Sequence, residues 1–293
     1  MLLLNQTVHR LIDLALEEDL GPGDITTEAV ISPEIMAEAH IRAKERLVVA
    51  GLPVAEAVFA HLGSEIIFNP RVAEGEVVRP KTVLASVVGP AVLLLMGERV
   101  ALNFLMRLSG IATWTRQFVE AVQLSAAQIV DTRKTTPGWR VLEKYAVRVG
   151  GGANHRFGLF DGVLIKDNHI RAAGGVATAI AAARQAVPHT LRIEVEVSDL
   201  PGLEEALAAG ADVILLDNME NDSLAEAVRV AGGQVILEAS GGMTLERVSE
   251  VAAAGVDFIS VGALTHSAPA VDMHMKIVRA GLVEPSPTPE SGL

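Results

Sequence analysis

The stretch 191–218, LRIEVEVSDLPGLEEALAAGADVILLDN, decides the fold. It opens on alternating residues, the period-2 pattern of a strand over Leu191–Val197. A helix-forming run, Leu203–Ala209, follows, and Gly210 stops it, because glycine accepts the left-handed conformation that ends helices. A second apolar run, Val213–Leu216, then ends in Asp217-Asn218. The unit repeats: Glu196 to Asp217 is 21 residues, Asp217 to Glu238 is 21, and Glu238 to Ser260 is 22. Strand-helix units of that length predict a parallel sheet with right-handed crossovers. Working outward, further strands are expected at Gln128–Val130, Val163–Ile165, Val235–Leu237 and Phe258–Val261. Helices are expected at Leu224–Val230 and Leu245–Ala254, the latter stopped by Gly255. Six strands fall short of the eight of a closed barrel, so an incomplete barrel and a doubly wound sheet both fit. No Gly-x-Gly-x-x-Gly joins a strand to a helix, which lowers the dinucleotide-binding version of the second.

Upstream the pattern differs. Residues 6–18 read as an amphipathic helix that Gly21-Pro-Gly-Asp24 breaks. Short alternating segments (Ala39–Arg42, Glu65–Phe68, Val72–Val78, Val83–Val88) surround a helix over Pro53–His61, as expected for an antiparallel sheet carrying helices. Residues 91–124 are helical, with a break between two helices expected at Ser109-Gly110.

Of the 293 residues, 50% are hydrophobic and 20% charged, enough apolar surface to exclude a disordered chain. There is no cysteine, which removes disulfides, thiolate-held metals and thiol catalysis. A net charge of −12 disfavours a nucleic-acid partner. Neither a signal peptide nor a membrane-spanning run is evident, so a cytoplasmic protein is expected. The net charge conceals a local reversal. From Asp131 to Arg171 eight Lys/Arg face four acids, giving +4 in that window and −16 elsewhere. Most charge runs are solvated faces. Here, however, the apolar stretch Gly162–Ile165 ends directly in Lys166, which points to a site for a small, multiply anionic ligand.

Each expected strand ends in polar groups: Asp131 to Lys134, Lys166 to His169, Glu194 and Glu196, Asp217-Asn218, Glu238 to Ser240, then Ser260 and Gly262. In α/β barrels that end is the active face. Any single acid there could merely cap the next helix; the full set is harder to explain so. Glu194 and Glu196, two apart, face one side of their strand. Together with Asp217 they could order Mg²⁺ or accept hydrogen bonds from ribose hydroxyls. Ser240-Gly-Gly242 and Gly262 to Thr265 offer backbone amides suited to a phosphate. The Gly150-Gly-Gly152 run reads as a flexible loop leading to His155-Arg156, without the ending of a P-loop.

These strings are distinctive together. Asp-Thr-Arg-Lys-Thr-Thr-Pro-Gly (131–138), Gly-Gly-x-Asn-His-Arg (151–156), Lys-Asp-Asn-His (166–169), Glu-Val-Glu-Val (194–197), Leu-Leu-Asp-Asn (215–218) and Glu-Ala-Ser-Gly-Gly (238–242) resemble the quinolinate phosphoribosyltransferases. The resemblance extends from Gly23 to His266. It implies an N-terminal α/β sandwich domain (1–110), an incomplete parallel α/β barrel of six or seven strands (111–275), and a C-terminal segment (276–293) that packs on the first domain and then becomes disordered. It implies transfer of phosphoribosyl from 5-phosphoribosyl 1-pyrophosphate (PRPP) to quinolinate with loss of CO₂, a Mg²⁺ requirement, and a homodimer or hexamer with shared active sites. By that resemblance Arg133, His155, Arg156 and Lys166 surround the quinolinate carboxylates, Thr132 is a further substrate-binding residue, and Lys134 takes the pyrophosphate. Glu196 and Asp217 hold ribose and metal, and Lys134, Glu196 and Asp217 are the catalytic groups. Ser240, Gly241 and Gly242 with Val261, Gly262 and Ala263 receive the 5-phosphate, and Arg99 reaches a neighbouring subunit's site. The alternatives from other classes are a same-scaffold relative with a different acceptor, such as the proteins found with molybdate transport, and a non-catalytic phosphate-ligand sensor.

Overall fold

The computed structural model describes residues 4–282. Helices α1 (Gln6–Leu20) and α2 (Ile25–Val30) lead into strands β1 (Ile35–Ala43) and β2 (Leu47–Val48), then α3 (Leu52–Leu62), β3 (Ile67–Pro70), β4 (Val77–Val78) and β5 (Val83–Pro90). β1 pairs antiparallel with β5, which pairs with β3; β2 and β4 form a separate two-residue pair. Val8, Ile12 and Leu16 of α1, with Val54, Val58 and Phe59 of α3, are buried. Only the last two residues of the expected strand 72–78 are strand. The rest forms a loop because the Glu74 carboxylate accepts the N–H groups of Gly51 and Leu52 at 2.7–3.0 Å, capping the start of α3.

Helix α4 (Ala91–Ala121) runs unbroken for 31 residues, against the break expected at Ser109-Gly110. Serine usually competes with the helix by bonding to nearby backbone. Here the buried Ser109 Oγ instead donates to Ala50 O at 3.1 Å and accepts the Ala50 N–H at 3.0 Å. A distant partner removes the competition that would have stopped the helix.

The second half alternates β6 (Gln128–Val130), α5 (Arg140–Val149), β7 (Val163–Ile165), α6 (Asp167–Ala173), α7 (Val176–Ala186), β8 (Ile193–Val197), α8 (Leu200–Ala208), β9 (Val213–Asp217), α9 (Asn221–Ala231), β10 (Ile236–Ser240), α10 (Val248–Ala253), β11 (Phe258–Ser260) and α11 (Ala263–His266). The six strands are parallel in the order β6-β11-β10-β9-β8-β7. Strand order thus follows chain order around an arc left open between β6 and β7, the incomplete barrel rather than the doubly wound sheet. Among the described residues, a single parallel bridge from Val130 to Ala153 is all there is of a seventh strand. Outward residues Val195, Ile214, Leu216, Ala239 and Ile259 are fully buried, while Glu194, Glu196, Leu215, Asp217, Glu238 and Ser260 line the inner cavities. Gly210 and Gly255, just past α8 and α10, have positive φ, as the stop signals require.

β12 (Met273–Leu282) pairs antiparallel with β1, from Met273 opposite Ala43 to Leu282 opposite Ile35. The chain accordingly divides into one compact unit up to Gly110 plus the chain from Ala270, and another over Ile111–Pro269. The barrel ends earlier than the expected 275, because backbone bonds already commit 271–275 to the first unit: the Val271 N–H donates to Met106 O, and β12 begins at Met273. The expectation of disorder in the tail falls outside the described residues.

Candidate active site

The C-terminal ends of the six strands surround a cavity of about 380 Å³, within the size range of small-ligand sites. Thr132, Arg133, Lys134, His155, Arg156, Lys166, Glu196, Asp217, Ser240, Gly241 and Gly242 all line it, as do Leu164, Leu215, Asn218, Glu238 and Ser260. Val261, Gly262, Ala263 and Arg99 are not among the lining residues. Arg99 lies exposed on α4, in the first unit. Val261 is fully buried and its N–H donates to Val130 O at 2.9 Å, so that amide is not open to a phosphate. The N–H groups of Gly241, Gly242, Gly262 and Ala263 donate to no other backbone group among the described residues.

The motif 131–138 divides by role. Asp131 is fully buried and accepts from Lys144 Nζ, from Asn154 Nδ2 at 2.6 Å and from the His155 N–H at 2.9 Å. Lys144, in α5, also donates to His155 O at 3.0 Å. Burial pushes the Asp131 carboxyl up and the Lys144 ammonium down, and each one's charge opposes the other's shift. Thr136 bonds Glu143 of α5, and Arg140 reaches Thr135 Oγ1 at 2.9 Å and Arg133 O at 3.3 Å. Thr265 Oγ1 donates to Lys134 O at 2.8 Å. The loop is thereby anchored on three sides while the side chains of Arg133 and Lys134 stay exposed. Gly150-Gly-Gly152 is a tight turn, not a flexible loop. A Cβ on Gly150 would meet Ala112 O at 2.6 Å, and Arg116 Nε holds Gly150 O at 2.8 Å.

Arg156 Nη1 donates to Gly162 O at 2.9 Å. Burial and then the neighbouring Arg133 charge lower its pKa. Two guanidiniums held near enough to oppose each other want anions between them. Lys166 Nζ is paired with Glu196 Oε2, and its backbone N–H donates to His169 Nδ1 at 2.9 Å, which makes His169 a helix cap rather than a ligand. Among the described residues, the Asp217 side chain accepts only from the Asn218 amide, at 2.7 Å.

His155 presents neither ring nitrogen to a substrate. Its Nδ1 accepts the Arg156 N–H at 2.7 Å, which places the ring proton on Nε2, 3.0 Å from Glu194 Oε2 and 3.8 Å from Glu238 Oε1. Burial opposes the imidazolium, but the bond to Glu194 and the charges of Glu238 and Glu194 outweigh it and raise the pKa. Burial, then the Glu194 charge, pushes Glu238 up to about 7 from an ordinary 4.5. Both groups bind protons more tightly in the folded chain, so the stability from Glu238 is lost as pH rises from about 4.5 through 7, and that from His155 is lost as pH rises past its ordinary 6.5. Glu238→Gln is expected to flatten that slope. It should gain ~2–3 kcal/mol on the wild type between pH 5 and pH 8 in urea unfolding, and parallel slopes would remove Glu238 as their source.

Sequence reasoning placed Glu238 at a strand end without giving it a role, and missed Lys144, Arg140 and Arg247 as site-forming groups. Arg247 binds Gly241 O at 3.2 Å and Met219 O at 2.7 Å, tying the β9 and β10 ends together. Gly241 completes that joint. At φ +92° its Cβ position lies 2.2 Å from Asn218 Oδ1 and 2.8 Å from the Asn218 backbone nitrogen. Gly241→Ala is therefore expected to cost ~1–3 kcal/mol and to weaken phosphate-bearing ligands, which thermal denaturation and a PRPP titration would register.

An open α/β barrel with cationic groups beside two carboxylates at its strand ends defines an enzyme of small polyanions. Sequence profiles of the quinolinate phosphoribosyl transferase N-terminal and C-terminal domains match residues 24–109 and 111–276. The chain belongs to that family. It is 47% identical over 267 residues to the probable nicotinate-nucleotide pyrophosphorylase [carboxylating] of Synechocystis, covering 90% of each chain. It is 43% identical over 283 residues to the human nicotinate-nucleotide pyrophosphorylase [carboxylating], covering 94% of each. The crystal structure of NadC from Streptococcus pyogenes superposes with a TM-score of 0.90 at 40% identity, covering 94% of this chain and 97% of that one.

Proposed function

We infer that this chain transfers phosphoribosyl from PRPP to quinolinate with decarboxylation, yielding nicotinate mononucleotide, pyrophosphate and CO₂ in NAD biosynthesis. The observation that carries the reading is the pairing, in one cavity, of the mutually repelling Arg133 and Arg156 with the acids Glu196 and Asp217. The guanidiniums, with Lys166, suit a pyridine dicarboxylate, since an unfilled arginine fork would leave buried donors unpaired for a monoacid. Lys134 stabilises the departing pyrophosphate. Glu196 and Asp217 hold the ribose and face the positive charge that develops at its reacting carbon as the pyridine nitrogen attacks. The amides of Gly241, Gly242, Gly262 and Ala263 receive the 5-phosphate.

Mg²⁺ fits this donor set as an ion held largely by substrate and water. Asp217 and Glu196 are hard oxygen donors lining the cavity. When bound, the ion supplies neutralisation of pyrophosphate charge.

Among the described residues no helix is long and apolar enough to cross a membrane, and we place the enzyme in the cytoplasm as a homodimer or larger assembly. Arg99, exposed in the first unit, is assigned to a second subunit's site. Mixed refolding of inactive Arg99→Ala and Lys166→Ala should restore about a quarter of wild-type activity by random pairing; no recovery despite subunit exchange would return Arg99 to its own chain. The reaction is tested by pyrophosphate and CO₂ release from carboxyl-labelled quinolinate with and without PRPP. PRPP binding without turnover would overturn it.

A further inference from the structure

We propose that Glu238 is the proton donor of the decarboxylation, delivering its carboxyl proton to the ring carbon that CO₂ leaves. The proposal rests on the reaction inferred above. Loss of CO₂ from the N-ribosylated pyridine breaks the bond from C2 to its carboxylate, and the electron pair stays on C2 beside the cationic nitrogen. That carbon must then take one proton. The bond from Glu238 oxygen to hydrogen breaks, the bond from C2 to hydrogen forms, and Glu238 is left as a carboxylate for water to reprotonate.

The geometry singles out this residue. Glu238 is the central residue of β10, 4% exposed, and lines the floor of the cavity. Its Oε1 is buried and has no hydrogen-bond partner among the described residues, His155 Nε2 being 3.8 Å away. The other proton carriers at the site are committed or poorly suited. Lys166 holds Glu196, and His155 directs its ring proton to Glu194. Guanidiniums such as those of Arg133 and Arg156 are poor proton donors, and the Lys134 side chain is exposed. The groups acting on Glu238 are Glu194, His155, Asp131 and the Ser260 hydroxyl, and burial with the Glu194 charge keeps it protonated to about 7. An acid poised near the working pH is suited to such a transfer.

Reloading also has a route. A second cavity of about 310 Å³ opens among Val163, Val213, Ile236 and Phe258, at the opposite ends of the strands. Glu238 and His155 line both cavities. Glu238 can therefore regain a proton from the far side while substrate fills the near one.

The test is a single turnover of the full-length enzyme with quinolinate labelled in its 2-carboxylate, following pyrophosphate and CO₂ separately in H₂O and D₂O. Cleavage of the carboxylate is reversible until C2 is protonated, so a missing donor delays CO₂ alone. Glu238→Gln, which keeps the shape of the neutral acid, is expected to make CO₂ lag pyrophosphate by ~100-fold or more, with the undecarboxylated nucleotide accumulating. The wild type should show the same lag emerging above pH 8 and in D₂O, a measurement independent of how any variant folds. CO₂ keeping pace with pyrophosphate in the variant, or no lag in the wild type at high pH, overturns the assignment. Both products slowing together would make Glu238 structural and also overturns it. No pyrophosphate from the wild type would overturn the reaction itself, a distinguishable result.

Discussion

Lys144→Met is expected to lower the unfolding free energy by ~3–5 kcal/mol, measured by urea denaturation. Methionine keeps most of the stem but removes the cation from a pair in which Asp131 is fully buried and Lys144 only 3% exposed. A buried carboxylate without its counter-charge costs far more than the pair contributes, because desolvation is no longer offset. The double variant with Asp131→Asn should recover a large part of the loss, since neither group is then charged. A single variant within ~1 kcal/mol of wild type would show that water or rearrangement solvates Asp131 instead. The effect should reach the site too. Asp131 accepts the His155 N–H and the Asn154 amide, and so fixes the segment that delivers Arg156.

Asp217→Asn is expected to depress kcat by ~10²–10³-fold while changing stability by less than ~1 kcal/mol. The carboxylate sits at the end of β9, where among the described residues only the Asn218 amide binds it, so folding depends little on it. Its charge lines the cavity, and in the proposed reaction it would face the positive charge developing on the ribose, which an amide of the same shape would not offset. Glu196→Gln should show the same kinetic loss with a further rise in quinolinate KM, because Lys166 loses its anchor. Steady-state kinetics beside thermal denaturation check both. Wild-type kcat in Asp217→Asn, or full activity in excess chelator, would remove the electrostatic and metal roles assigned to these acids.

Much of the barrel was legible because its signals are local. Period-2 alternation exposed Glu194 and Glu196 as one face of β8, and glycines marked the helix ends. The near-constant spacing of 21 or 22 residues revealed the parallel order. The misreadings share one cause. Ser109, Gly150 and Glu74 are read from their neighbours in sequence, yet each is governed by a partner elsewhere: Ala50, Ala112 and Gly51. Lys144 gave a faint signal, a lysine between the buried Leu142 and Val147 of one helix, which only a buried counter-charge makes tolerable.

By itself the sequence determined the strand-helix alternation, the faces of each strand and the cationic window on an acidic chain, since hydrophobic period, turn propensity and charge are properties of short segments. Tertiary structure alone decided which polar residues serve substrate and which serve the fold. It turned Asp131 inward to Lys144 and the His155 ring toward Glu194, and left Glu238 buried. Those outcomes depend on desolvation and pairing between groups tens to more than a hundred residues apart, such as Thr265 on Lys134. The free energy of a buried charge is set by what surrounds it in space, and assembly of the open barrel is what supplies those surroundings.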